Sequence, residues 1–155
     1  MKEIGLKILA VCVFVALLFA CTSSDLFLYE DFEFEERLWV TNDTKSISFK
    51  IQDTIKRRDF YIHLRNDQTY PYSNLFLFVK LNFPNGKARI DTLECPLAAP
   101  NGKWIGRSFG NLVDHRILYL SDVVFPLEGD YRIEISQAMR DDTLKGVHNF
   151  GFSIE

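Results

Sequence analysis

Along residues 75–83, LFLFVKLNF, every second side chain is apolar: Leu75, Leu77, Val79, Leu81 and Phe83 fall on one side. Successive side chains of a β-strand point to opposite faces, so this spacing supplies one face for a core. Wound into a helix, the same residues would scatter around the axis. The alternation recurs along the chain. SISFKIQD sets Ile47, Phe49 and Ile51 against Ser46, Ser48, Lys50 and Gln52. DFYIHLRND sets Phe60, Ile62 and Leu64 against Tyr61, His63 and Arg65, and DYRIEIS sets Tyr131, Ile133 and Ile135 against Asp130, Arg132 and Glu134. HRILYLSD and GVHNFGFSIE read the same way, and a further strand is expected near DFEFEERLW. No window of helix length carries an apolar stripe; a single helical turn is expected at MRDDTLKG.

The punctuation agrees with strands. Pro-Asn-Gly-Lys occurs at 84–87 and again at 100–103. Pro presets φ, Asn suits the next position, and Gly supplies the left-handed residue of a hairpin with a bulge. The two turns bracket one strand, residues 88–98. The pattern predicts an all-β fold: an antiparallel β-sandwich of about seven or eight strands, immunoglobulin-like or jelly-roll in topology. LEGDYRIEI places Gly129 two residues before Tyr131 where a strand begins, an arrangement that resembles the tyrosine corner of immunoglobulin-like sandwiches.

The N-terminus has a different composition. Lys2 and Lys7 precede ILAVCVFVALLFA, residues 8–20, an apolar run shorter than the roughly 20 residues a spanning helix needs. A charged start, a short apolar stretch and a small final residue describe a secretory signal peptide. Leu18-Phe19-Ala20-Cys21 resembles the bacterial lipobox, departing from it at Phe19. That resemblance implies removal of residues 1–20 and lipidation of Cys21. Three acyl chains make an effectively permanent anchor, since each buried methylene contributes about 0.8 kcal/mol. By resemblance to other Gram-negative lipoproteins, Thr22 rather than an acidic residue after the cysteine implies the outer membrane. The lack of the acidic cluster found in surface-export signals of this class of bacteria implies its periplasmic face. Residues 21–31 then form a tether and residues 32–155 a single sandwich domain. With Cys12 removed and Cys21 acylated, Cys95 stands alone and no intramolecular disulfide is available. Its alternation with Leu93 and Leu97 marks it as a buried structural thiol.

Chemistry finds little footing. Lys and Arg number 18 against 21 Asp and Glu, with no basic stripe, which argues against nucleic acid. His63, His115 and His148 lie in separate strands; His148 falls with Phe150, Phe152 and Ile154, as a semi-buried structural histidine would. Asp114-His115 lacks a nucleophile context such as G-x-S-x-G. Asp141-Asp142 lacks the spaced oxygen ligands of a calcium loop. No catalytic residue, metal ligand or cofactor is expected, and the chain is not expected to be an enzyme.

Binding is better supplied. NGKWIGRSFGNLVDH, residues 101–115, reads as a long loop carrying Trp104, Arg107 and Phe109 among glycines. Loops on rigid scaffolds carry recognition, and Trp and Arg are common interface anchors. The plain alternative is that Trp104 plugs the open end of the sandwich. NDQTYPYSN offers Tyr70 and Tyr72 around Pro71, a pair that could stack on a sugar but more often forms a turn packed on its own core. With Arg140, these residues make the expected protein-binding set: Tyr70, Tyr72, Trp104, Arg107 and Arg140. A glycan-binding reading is the alternative and requires an exposed Trp39 or Trp104.

IHLRNDQTYPYSNLFLFVKLNFPNGK, DTLECPLAAPNGKWIGRS, FPLEGDYRIEISQAMRDDTLKG and the lipobox together resemble the gliding-motility lipoprotein GldH family of Bacteroidota. The most specific elements are LRN followed by YPYSNL, NGKWIG, and QAMR followed by LKG. The resemblance implies a non-catalytic lipoprotein anchored at Cys21, with gliding and type IX secretion envelope proteins as partners.

Overall fold

The computed structural model describes residues 26–155; Cys21 and its leader lie outside them. Each alternating segment is a strand. The order is β1 (Leu28–Glu33), a 3-10 turn at Glu35–Arg37, β2 (Leu38–Val40), β3 (Lys45–Ile51), β4 (Arg57–Asp67), β5 (Asn74–Asn82) and β6 (Ala88–Pro96). It continues through β7 (Arg107–Phe109), β8 (Leu112–Val124), β9 (Gly129–Gln137), β10 (Thr143–Lys145) and β11 (Val147–Ile154). The described residues thus hold eleven strands rather than seven or eight. The surplus is β2, β7 and β10, each of 3 residues, too short for an alternation to show.

Three sequence expectations change. Residues 28–31, given to the tether, already belong to β1, which pairs with β11 along its whole length. MRDDTLKG forms no helical turn; its first half bends and its second half is β10, paired with β2. Residues 101–115 are not one long loop but contain the β7–β8 pairing.

All paired strands run antiparallel. One sheet has the order β1-β11-β4-β8-β7, the facing sheet β3-β9-β5-β6, and β10-β2 forms a small ribbon. The inward set is the one the alternation names: Phe60, Ile62 and Leu64 from one sheet meet Leu75, Leu77, Val79, Ile133 and Ile135 from the other, all at most 2% exposed. Cys95 is fully buried among them, and burial, with Glu94 adding to it, pushes its thiol up to about 12. The thiol therefore stays protonated at neutral pH.

Both Pro-Asn-Gly-Lys turns close with the same bonds. Phe83 N donates to Lys87 O and Ala99 N to Lys103 O, each at 2.8 Å, and each Gly has φ of 79°. At the start of β9 the Tyr131 hydroxyl donates to Leu127 O at 2.9 Å, the tyrosine-corner bond, while its ring contacts Phe49, Phe83 and Phe125. Tyr131→Phe keeps these ring contacts and loses one buried hydrogen bond. The expected loss is about 1 kcal/mol, read as a lower urea midpoint at unchanged m.

Candidate functional site

The sandwich has two distinct ends. β4, an 11-residue strand, carries the chain about 33 Å from one to the other. At its start Arg57 pairs with Val124 and Phe60 with both Leu120 and Ile154, and Leu28 also pairs with Ile154, so the chain enters here. At its finish Asp67 pairs with Leu112. LRN, YPYSNL, NGKWIG, QAMR and LKG, scattered in sequence, gather around this far end.

Asp67 is the hub of that gathering. Its side chain is 3% exposed and accepts from Thr69 N (2.8 Å), Thr69 Oγ1 (2.5 Å), His148 Nε2 (2.9 Å) and Arg37 Nη1 (3.3 Å). Burial alone would raise its pKa; the Thr69, His148 and Arg37 donors outweigh burial and hold the carboxyl well below the usual carboxylate range. His148 reaches it because a register shift between Val147 and Asn149 turns the imidazole out of the apolar row. His148 is therefore the semi-buried, hydrogen-bonded histidine expected, but it sits against a carboxylate rather than in line with Phe150, Phe152 and Ile154.

A second polar contact continues from the hub. Asn66 Nδ2 donates to Asp67 O at 3.0 Å, and His115 Nε2 meets Asn66 Oδ1 at 2.9 Å, a contact that puts the proton on Nε2. Burial pushes the His115 imidazole below its ordinary value, Asp114 partly opposing it. The His115 ring lies edge-on to Trp104, with centroids 6.1 Å apart, and Trp104 Nε1 donates to Gln68 Oε1 at 2.8 Å. Two motif glycines make this packing possible. A Cβ on Gly106 would lie 2.5 Å from Asp114 O, and one on Gly146 would lie 2.6 Å from Tyr70 N.

Of the expected binding residues, Tyr70 is 3% exposed, with its hydroxyl donating to Asn74 O at 2.9 Å. It belongs to the core and supports the surface from beneath. Trp104 is half-buried against Tyr70 and His115, which is the plugging role given above as the alternative. Tyr72 is half-buried; its ring meets Tyr70 and its hydroxyl donates to Asp141 Oδ2 at 2.5 Å. Arg107 and Arg140 are exposed. Tyr72, Phe76, Ala138, Met139, Arg140 and Asp141 line a groove of about 570 Å³. The set forms one band, from Arg140 past Tyr72, Tyr70 and Trp104 to Arg107, whose strand partner is Asp114.

The expected five-residue set leaves out two members of that band, Ile105 and Phe109, although Phe109 is named above in the same loop. Ile105 is 61% and Phe109 81% exposed, on either side of Arg107. Their signal was large apolar residues inside WIGRSFG, where no core alternation required them. Trp39 is corrected in the opposite sense. It is fully buried, stacked on Phe34, with Nε1 donating to Asp43 O at 3.0 Å. The aromatic platform required for glycan binding is thus missing at Trp39 and half-covered at Trp104.

At the far end the Thr69 hydroxyl is committed to Asp67 Oδ1. Elsewhere, His63 Nε2 lies 2.9 Å from Ser153 Oγ, but Ser153 is 1% exposed. Among the described residues no group of three or more His, Cys, Asp and Glu side chains is placed to hold a metal ion.

Comparison with known proteins places these features among relatives. A family model described as GldH lipoprotein matches residues 28–154. The gliding motility lipoprotein GldH homolog of Christiangramia forsetii is 40% identical over 110 residues, covering 66% of this chain and 68% of that protein. The gliding motility lipoprotein GldH of Flavobacterium johnsoniae is 30% identical over 161 aligned positions, covering 99% of this chain and 96% of that protein. Among solved structures, a family GH115 4-O-methyl-alpha-glucuronidase aligns at 11% identity with TM-score 0.41, over 86% of this chain and 18% of that one. That likeness is too slight to say anything of function.

Proposed function

The chain belongs to the GldH lipoprotein family, and we propose that it works as a gliding motility lipoprotein that docks other envelope proteins. In this reading Cys21 carries the acyl anchor in the outer membrane, the domain faces the periplasm, and its partners belong to the gliding and type IX secretion machinery. It performs no catalysis itself.

The observation that carries the docking reading is the band at the far end. Ile105, Arg107, Phe109 and Arg140 are exposed there. They are held on a base of Trp104, Tyr72 and Tyr70, fixed by hydrogen bonds to Gln68, Asp141 and Asn74. A rigid base with arginine and aromatic side chains above it suits protein recognition. The band lies opposite the end at which the chain enters the sheet, so a tethered domain presents it away from the lipid. Tethering also confines partners of the same membrane to one layer and raises their effective concentration, so modest contacts suffice.

In-cell crosslinking of the tagged protein tests this. The expected capture is of gliding or type IX secretion envelope proteins, lost when Cys21→Ser releases the anchor. Capture of none of these from the intact protein, with glycan-rich material instead, would overturn it.

A further inference from the structure

The end at which the chain enters the fold carries an apolar rim. Ile55 is 86% exposed at the tip of the loop between β3 and β4, Leu26 49%, Val124 43% and Phe27 38%. Scattered exposed apolar residues are ordinary on a soluble domain. These four share one end. Phe27 N donates to Ile154 O, its ring meets Phe49 at 6.2 Å, and the Arg58 guanidinium lies 3.9 Å over it. Arg58 in turn pairs with Val123, and Arg57, two residues beyond Ile55, pairs with Val124. Arg58 is 6% exposed, and its Nε and Nη1 have no hydrogen-bond partner among the described residues, so the Phe27 ring is a principal compensation for that buried cation. The point of chain entry is fixed to this rim.

The loop tip is built to hold Ile55 out. Asp53 Oδ1 accepts from Ile55 N at 2.8 Å and Lys56 N at 3.1 Å, closing a turn that leaves the side chain outside. From Cys21 to Phe27 a fully extended chain spans at most about 21 Å. A domain held that close to an acylated cysteine keeps this end next to the lipid.

We propose that the rim is a membrane-contact surface: Ile55, with Leu26, Phe27 and Val124 around it, enters the headgroup region of the bilayer that anchors Cys21. The proposal rests on the lipoprotein reading of Cys21 and goes beyond it, because an anchor alone leaves the domain free to tumble on its tether. Contact through the rim fixes the domain upright and aims the far-end band outward. The contact is apolar rather than ionic. Arg57 is paired with Asp122, Asp53 with the backbone of its turn, and Arg58 is buried under the Phe27 ring. Lys56 beside Ile55 is an exposed cation of the tip, so a salt-insensitive contact distinguishes the apolar rim from attraction of Lys56 to anionic lipid.

The test uses the full acylated protein in vesicles of phosphatidylethanolamine and phosphatidylglycerol. With Cys21 acylated and Cys95 buried, Ile55→Cys and, separately, Arg140→Cys each give one labelling site for an environment-sensitive fluorophore. The expected result is a blue-shifted label at 55, quenched several-fold less by iodide than the same label at 140, and unchanged in high salt. Equal quenching at both sites, with intact acyl mass on Cys21, would overturn the rim contact and leave the lipoprotein reading standing. Equal protection at both sites, or protection at 55 lost in high salt, would overturn it too. Absence of the acyl mass would overturn both readings together.

Discussion

Asp67→Asn is expected to destabilise the domain by about 3 kcal/mol, the range for removing one partner from a buried charged network. Asn keeps one acceptor oxygen and places an amide where His148 Nε2 or the Thr69 donors now find a carboxylate. Arg37 contributes little to the loss, because its side chain is 58% exposed and its charge is solvated either way. The pH dependence separates this account from simple loss of packing. The folded-state pKa of Asp67 is depressed below the unfolded value near 3.9, so its contribution is fully present above that value. It is lost as pH falls through the unfolded value towards the folded one. Urea unfolding should therefore show a wide gap between native and Asp67→Asn at pH 7 and a narrowing gap below about pH 4. A gap that stays constant down to pH 3 would mean that shape, not charge, holds the far end.

What the sequence could and could not reveal follows from the range of each interaction. Period-two alternation is local, so Phe60, Ile62 and Leu64 announce their face from within DFYIHLRND, and all three are buried. The Tyr131 corner was legible because donor and acceptor are four residues apart. The tight turns at 84–87 and 100–103 were legible for the same reason. The far-end network was not. Asp67 and His148 are separated by 81 positions, Asn66 and His115 by 49, Trp104 and Gln68 by 36. Nothing in a linear reading brings such pairs together. His148 was placed on the wrong side because the shift between Val147 and Asn149 reverses the alternation there. Trp39 was legible as aromatic but not as buried, since a strand of 3 residues shows no periodicity, whereas the burial of Tyr70 agrees with the packed turn read around Pro71. Gly106 and Gly146 stood out only as letters of a motif; in the fold they are places where a Cβ would strike Asp114 O and Tyr70 N.

Burial also decides which substitutions can report on docking. Tyr70→Ala would open a cavity in the core and cost about 3 kcal/mol or more, so a lost phenotype there would say nothing of recognition. Arg107, Phe109 and Arg140 differ. Their side chains are exposed, and alanine at each should change stability by no more than about 0.5 kcal/mol. If the band is the docking face, the triple alanine variant should fold with an unchanged urea midpoint and remain membrane-associated. Its crosslinked yield of envelope partners should fall by about tenfold or more, since one interface anchor is worth about 2 kcal/mol. Phe109 should carry the largest single share, as the most exposed aromatic of the band. A charge-retaining Arg107→Lys, Arg140→Lys pair should recover little if the arginines bind through planar, bidentate contacts, and most of the yield if only their charge matters. A triple variant that captures the same partners at the native yield would remove the far end from the docking account, while leaving its role in stability, read through Asp67, untouched.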